Sequence, residues 1–240
     1  MSDSVEAGAG RLAIQFPQMD SNVANELPRH RHGLSREAVR KSQESRLIVA
    51  TVQVVAEHGY AGASVRQIAA RAGISTKTFY ELFPDKEAAF LGTYSSVDLL
   101  VERMRAATAQ ARTAAAVVEA GLSTYLETLA AGPLFTQSLV VEAVASTDRI
   151  RARRAQGLAD FASVLVDGLH RVRGNMNSPA DSPEAKALII GALGGVNELV
   201  VQHLGAASAQ TLAEVVPIAR VLLERVVLTP SERASSFPDV

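Results

Sequence analysis

Apolar residues recur at three- and four-residue intervals along most of the chain, and strand-like alternation is nowhere sustained. Leu47, Ala50, Val54 and Val55 mark the buried face of a helix predicted from Ser35 to about His58. Gly59 ends it, because glycine accepts the left-handed backbone of a helix stop. Ser64-Val65-Arg66-Gln67 reads as a capping box, with Val65, Ile68 and Ala69 facing inward behind it. Ala72-Gly73-Ile74 makes a tight turn, and Ser75 caps a third helix from Thr76 to about Phe83. Phe79 and Phe83 fall on one side of that helix; Thr76, Lys77, Thr78, Tyr80 and Glu81 take the other directions. Pro84-Asp85 stops it, and Asp85 caps a fourth helix predicted to run unbroken to about Gln110.

Helices follow over 111–130, 134–145 and 148–173. Ser182 caps a helix from Pro183 to Leu204 that is apolar nearly all round and therefore needs burial on two sides. Its companion, Ala209 to Val227, holds Pro217, which is expected to kink or split it. The fold class expected is all-α with about nine helices. Residues 1–34 read as a flexible arm, 35–90 as a helix-turn-helix head, 91–228 as a helical body and 229–240 as a loose tail.

Composition narrows the functions. The chain has 240 residues, no Cys, no Trp and 5% aromatics. Disulfides, thiolate zinc sites and a cysteine nucleophile are excluded, and an aromatic platform for single strands is disfavoured. Net charge is −1, but residues 29–90 hold ten basic against six acidic side chains, whereas 1–28 hold one against four. No apolar run is judged long enough to span a membrane. Met1 to Gly10 lacks a basic start and an apolar stretch, so no signal peptide is read and the expected location is cytoplasmic. No H-E-x-x-H helix occurs, and no cofactor, metal site or catalytic group is expected.

Two short helices joined by a glycine turn describe a helix-turn-helix, whose second helix reads a major groove. Helical hairpins of this kind also occur in proteins that bind no nucleic acid. The pattern by itself leaves an all-α enzyme or a helical protein-binding adaptor open.

A longer set of residues adds to this. Leu47-Ile48, Ala50-Thr51, Val54-Val55-Ala56-Glu57 and Gly59-Tyr60 lead into Ser64-Val65, Ile68-Ala69, Ala72-Gly73-Ile74-Ser75, Thr78-Phe79-Tyr80, Phe83 and Lys86-Glu87. This stretch resembles the DNA-binding domain of tetracycline-repressor-type (TetR-like) transcriptional regulators. The resemblance implies a homodimer bound to a double-stranded palindromic operator, acting as a repressor that an unknown small-molecule effector releases. It implies DNA contacts from Ser64, Arg66, Ser75, Thr76, Lys77, Thr78 and Tyr80, with Lys86 neutralising a phosphate. The chain departs from the family at Lys77, where a small residue or Gly is usual, and at Leu82, where His is usual. Arg29 and Arg31 could enter a minor groove or simply be solvated, and the run His30-Arg31-His32 could instead hold a metal, the weakest of the three readings. The dimer is expected through helices around 183–204 and 209–227. Arg149, Arg151, Arg153 and Arg154 read as a solvated helix edge in preference to a second nucleic-acid site. Tyr94, Phe135, Glu142, Phe161, His170 and Asn197 are the candidate effector contacts, each also readable as an ordinary core or surface residue.

Overall fold

The computed structural model describes residues 35–174 and 183–236. The arm with Arg29, His30, Arg31 and His32, and the Ser182 cap, lie outside the described residues. Helix α1 spans Arg36–Gly62, with the Ser35 hydroxyl accepting from the Ala38 amide. As expected from sequence, its regular run stops at Gly59, which takes a positive φ. Gly59 alone leaves helical geometry (φ 70, ψ 161), and the chain resumes one further turn beyond this kink. Helices α2 (Val65–Arg71), α3 (Thr76–Leu82) and α4 (Lys86–Gly92) follow.

The fourth helix expected to reach Gln110 is two helices, α4 and α5 (Ser95–Ala109). The Thr93 and Tyr94 amides bond three residues back, to Phe90 and Leu91, and the Thr93 hydroxyl also donates to the Phe90 carbonyl. Those short-range bonds interrupt the helical ladder. Both residues are buried, so the break is fixed by packing.

The body adds α6 (Ala114–Ala131), α7 (Pro133–Thr136), α8 (Asp148–Arg173), α9 (Pro183–Ala206), α10 (Val216–Val227) and α11 (Pro230–Ser236). After α7 the chain makes a π turn over Gln137–Val141 and a 3-10 turn over Glu142–Ala145. The segment holding Pro217 is split, as a 3-10 turn over Ala209–Val215 followed by α10, with Pro217 in the first turn where its missing N–H costs nothing. By length and composition Glu184–Ala206 meets the requirement for crossing a membrane, against the expectation from sequence. In the fold its Ile189, Leu193, Val196 and Val200 are buried in the body core.

Two apolar cores form. Leu47, Val54, Val55, Ile68, Phe79 and Phe90 centre the first, which also takes in Ala143 and Ile150 from beyond α7. The Ser138 hydroxyl donates to the Val52 carbonyl at 2.9 Å, tying the π turn to α1. The second core fills the body between α5, α6, α8, α9 and α10. There α6 and α8 touch backbone to side chain. A Cβ on Gly168 would lie 2.7 Å from Val117, and one on Gly121 would lie 2.9 Å from Leu165.

The tail expected to be loose is helical through Ser236. Glu232 accepts two hydrogen bonds from the Arg173 guanidinium, both at 2.8 Å, and one from the Thr229 amide. The Arg173 bonds, and then those of Thr229, hold its carboxyl well below the usual range, at about 2. A carboxyl depressed in the folded state contributes stability above its unfolded pKa and loses it as pH falls. Glu232→Gln should therefore cost on the order of 2 kcal/mol at pH 7, and the difference from the parent should vanish between about pH 4.5 and pH 2. Denaturant unfolding of both proteins across that range measures it; a difference independent of pH contradicts the assignment.

Candidate nucleic-acid interface and ligand pocket

The head is built from local signals. Ser64 Oγ accepts from the Gln67 amide, and the Gln67 side chain takes the Ser64 amide at 2.9 Å, closing the capping box. Gly73 adopts φ +62 in the turn between α2 and α3. Arg46 of α1 donates Nε to the Ala72 carbonyl at 3.1 Å and Nη2 to the Gly73 carbonyl at 3.1 Å. The turn is thus pinned from behind by a guanidinium that local pattern did not single out. Ser75 Oγ accepts from the Thr78 amide at 3.0 Å and lies 3.0 Å from the Thr78 hydroxyl, so these two side chains hold the start of α3. Phe79 is buried beneath them.

The outer side of this unit presents Ser64, Arg66, Ser75, Thr76, Lys77 and Tyr80, all exposed, with Thr78 half-buried. The Tyr80 ring stands edge-on to Phe79 at 5.5 Å and is 58% exposed. Among the described residues neither Arg66 nor Lys77 has an ion-pair partner. Arg71, by contrast, is bidentate to Glu57 at 2.8 and 2.6 Å, and Arg40 pairs with Glu44.

In the body, α5, α6, α8, α9 and the turns after α7 surround a pocket with about 610 Å³ of empty space, its mouth included. Leu100, Leu129, Val140 and Leu158 give it apolar walls. Of the candidate contacts, Tyr94, Phe135, Phe161 and Asn197 line it. Glu142 does not: the turns that follow α7 carry its carboxylate to the α1 kink, where a Cβ on Gly59 would sit 3.2 Å from Oε2. Gln137 Nε2 donates to its other oxygen at 3.2 Å. His170 does not either, being nine residues past Phe161 and so about 14 Å further along α8. Pattern also missed Tyr125 and Arg154. Tyr125 stacks edge-on to Phe161 at 5.2 Å and donates its hydroxyl to Asn197 Oδ1. Burial pushes the Tyr125 hydroxyl well above its ordinary pKa.

Residues 47–92 match the family model described as bacterial regulatory proteins, tetR family. The helix-turn-helix head is of the TetR family. The rest of the chain resembles solved regulators. The fatty acid degradation regulator FadR from Bacillus halodurans is 25% identical with a TM-score of 0.64, over 75% of this chain and 94% of that one. The transcriptional regulator FadR from Bacillus subtilis, solved in complex with stearoyl-CoA, is 22% identical with a TM-score of 0.63, over 76% and 97%. A TetR transcriptional regulator from Rhodococcus sp. RHA1 is 14% identical with a TM-score of 0.57, over 80% and 99%. Over three quarters of its length the chain therefore has the fold of a FadR-like transcriptional regulator.

One residue of the TetR head departs from the role the resemblance implied. Lys86 turns its ammonium inward, donating to the Tyr60 carbonyl at 2.6 Å and the Ala63 carbonyl at 2.8 Å. It also lies 4.4 Å from the centroid of the Tyr60 ring. The last turn of α1 leaves carbonyls without helical partners, and the Lys86 ammonium satisfies them. Burial lowers its pKa. Lys86 thus fastens α4 to the end of α1, and its charge is not directed at the rim. Lys86→Met should lower stability by about 1–3 kcal/mol, since it strands two carbonyls beside α4. Urea unfolding checks this; an unchanged midpoint and slope would refute it.

Proposed function

We propose that the chain is a dimeric, sequence-specific DNA-binding regulator, acting as a repressor that a small molecule releases from a palindromic operator. The observation that carries this reading is the outward, unpaired set of Arg66, Thr76 and Lys77 on a TetR head. A helix in the major groove needs such donors at its surface, with its apolar side buried as Phe79 is here. Ser64, Ser75, Thr78 and Tyr80 border the same surface and complete the proposed contact set.

Apolar side chains left open on α9 and α10 support the dimer. Leu188 is 62% exposed and Ile218 54% exposed, and Val221 and Val226 lie open too. A Cβ on Gly195 would lie 3.0 Å from the Leu222 side chain, so the glycine lets the two helices approach closely. Leu188 lies seven residues before Gly195 on nearly the same face, and open space lies over Gly191 and Gly194. A second copy packed there would make a four-helix interface. Two heads so related would read half-sites about 34–36 Å apart.

The pocket supports release by a ligand. It is apolar, and it reaches Tyr94 at the break between α4 and α5, the joint between head and body. An effector with a hydrocarbon body suits those walls, and the FadR of Bacillus subtilis was solved in complex with stearoyl-CoA. A ligand that prefers one head spacing shifts the population and weakens operator binding by its differential affinity, typically about 1–3 kcal/mol of coupling.

Operators selected from random DNA by the purified protein supply the substrate for two tests. Lys77→Ala should weaken operator binding and reduce the slope of log affinity against log salt by about one. Equal affinity and slope would remove α3 as the reading helix. Leu188→Glu combined with Ile218→Glu should sediment as a monomer and lose most operator affinity. A dimer that survives both changes would move the interface elsewhere.

A further inference from the structure

The pocket has apolar walls and one charged side chain, Arg154. No hydrogen bond or ion pair to Arg154 exists among the described residues, and its Nε is buried without a partner. The neighbouring Arg153 differs: it pairs with Asp98 and lies 5.0 Å from the centroid of the Tyr94 ring. The Tyr94 hydroxyl, on a residue 3% exposed, is also buried without a partner. Burial raises its pKa to about 12, and the charges of Arg154 and Arg153 draw it back down. Arg154 has the same lowering influence on Tyr125. Arg154, Tyr94 and Tyr125 all line the same cavity.

A buried donor without an acceptor costs free energy, and so does a guanidinium without a counter-ion in an apolar wall. Two such donors belong to residues lining one cavity, and no acid is among the residues that line it. They match one acceptor group carrying a single negative charge. A guanidinium offers parallel N–H groups to a planar carboxylate, and a phenol adds a further donor. The remaining walls suit hydrocarbon.

We propose that the effector is a carboxylic acid with an extended apolar body, its carboxylate held between Arg154 and the Tyr94 hydroxyl. The inference rests on the ligand-released regulator proposed above and names the chemistry of its effector. It also assigns Tyr94 a double position, since its ring packs on Phe90 in the head core at 6.3 Å while its hydroxyl faces the carboxylate. The acid end of the ligand then touches the residue at which α4 gives way to α5.

Calorimetry on the full-length protein without DNA tests this. The probes are sodium salts of saturated C8 to C14 acids, the matching alcohols, and dodecanoyl-CoA. The best acid should bind at least about tenfold more tightly than its alcohol, the scale of one charge-assisted contact. Arg154→Gln should abolish that preference by weakening the acid at least about tenfold more than the alcohol, and Tyr94→Phe should weaken acid binding several-fold. Alcohols binding as well as acids overturn the inference, as does a preference that survives Arg154→Gln. Binding of dodecanoyl-CoA alone would assign the anionic contact to phosphate and overturn it. Binding of none of the probes also overturns it. Operator binding, measured separately, keeps the two readings apart. Intact DNA binding without acid binding defeats only this inference, and acid binding without DNA binding defeats only the regulator.

Discussion

Head and body share one buried seam, and the arrangement of both depends on it. Ala143 and Ile150 come from beyond α7, yet they complete the core in which Phe79, Phe90 and Tyr94 sit. The Ser138 hydroxyl spends its hydrogen on the Val52 carbonyl in the middle of α1. Protein interiors are close-packed, so a head that tilted away from this seam would open a cavity and strand a polar group. The inexpensive motion carries the bent segment after α7 and the start of α8 along with α1. Two ion pairs follow the same line: Arg149 with Glu87, and Arg153 with Asp98, each joining α8 to α4 or α5.

This seam explains why a pocket in the body can matter to a surface on the head. Tyr94 belongs to the head core by its ring and to the pocket by its position. Thr93 and Tyr94 replace helical bonds with shorter-range ones at that point, so the backbone there is a joint between two stiff rods. In the regulator proposed above, a ligand need not reach α3. It needs only to favour one setting of the joint.

Much of the architecture could be read from local signals, because those signals act over three or four residues. The Ser64–Gln67 box, the Ser75 and Asp85 caps and the run from Asp148 to Arg173 all stand where pattern placed them. Features set by distant partners were not legible. The break after α4 depends on the burial of Tyr94 against residues far along the chain, and α11 depends on Arg173, 59 positions before Glu232. The same reason governs the charges. A tally of basic residues counts Arg46, Arg71 and Lys86 toward a DNA surface, although all three are committed to partners within the head, Arg71 at its surface. Arg154 was hidden in the opposite way, since a run of arginines at a helix start looks like a wet edge. Tyr125 looked like any aromatic on an amphipathic helix, and Glu142 was moved off the pocket by turns that a helical reading does not anticipate.

The glycines of the body divide it into two mechanical regimes. Around Gly121 and Gly168, α6 and α8 are in contact too close for any side chain to intervene, and no slack remains. Nearer the head, around Gly157 and Arg154, side chains of the same two helices line the pocket. The body therefore resembles tongs riveted at the far end. In the regulator proposed above, a wedge placed between the jaws would leave the rivet closed and deliver its displacement to the tips, where the head is attached. It also follows that the jaws can be relined for a new compound without disturbing the rivet, which separates the evolution of ligand choice from the survival of the fold.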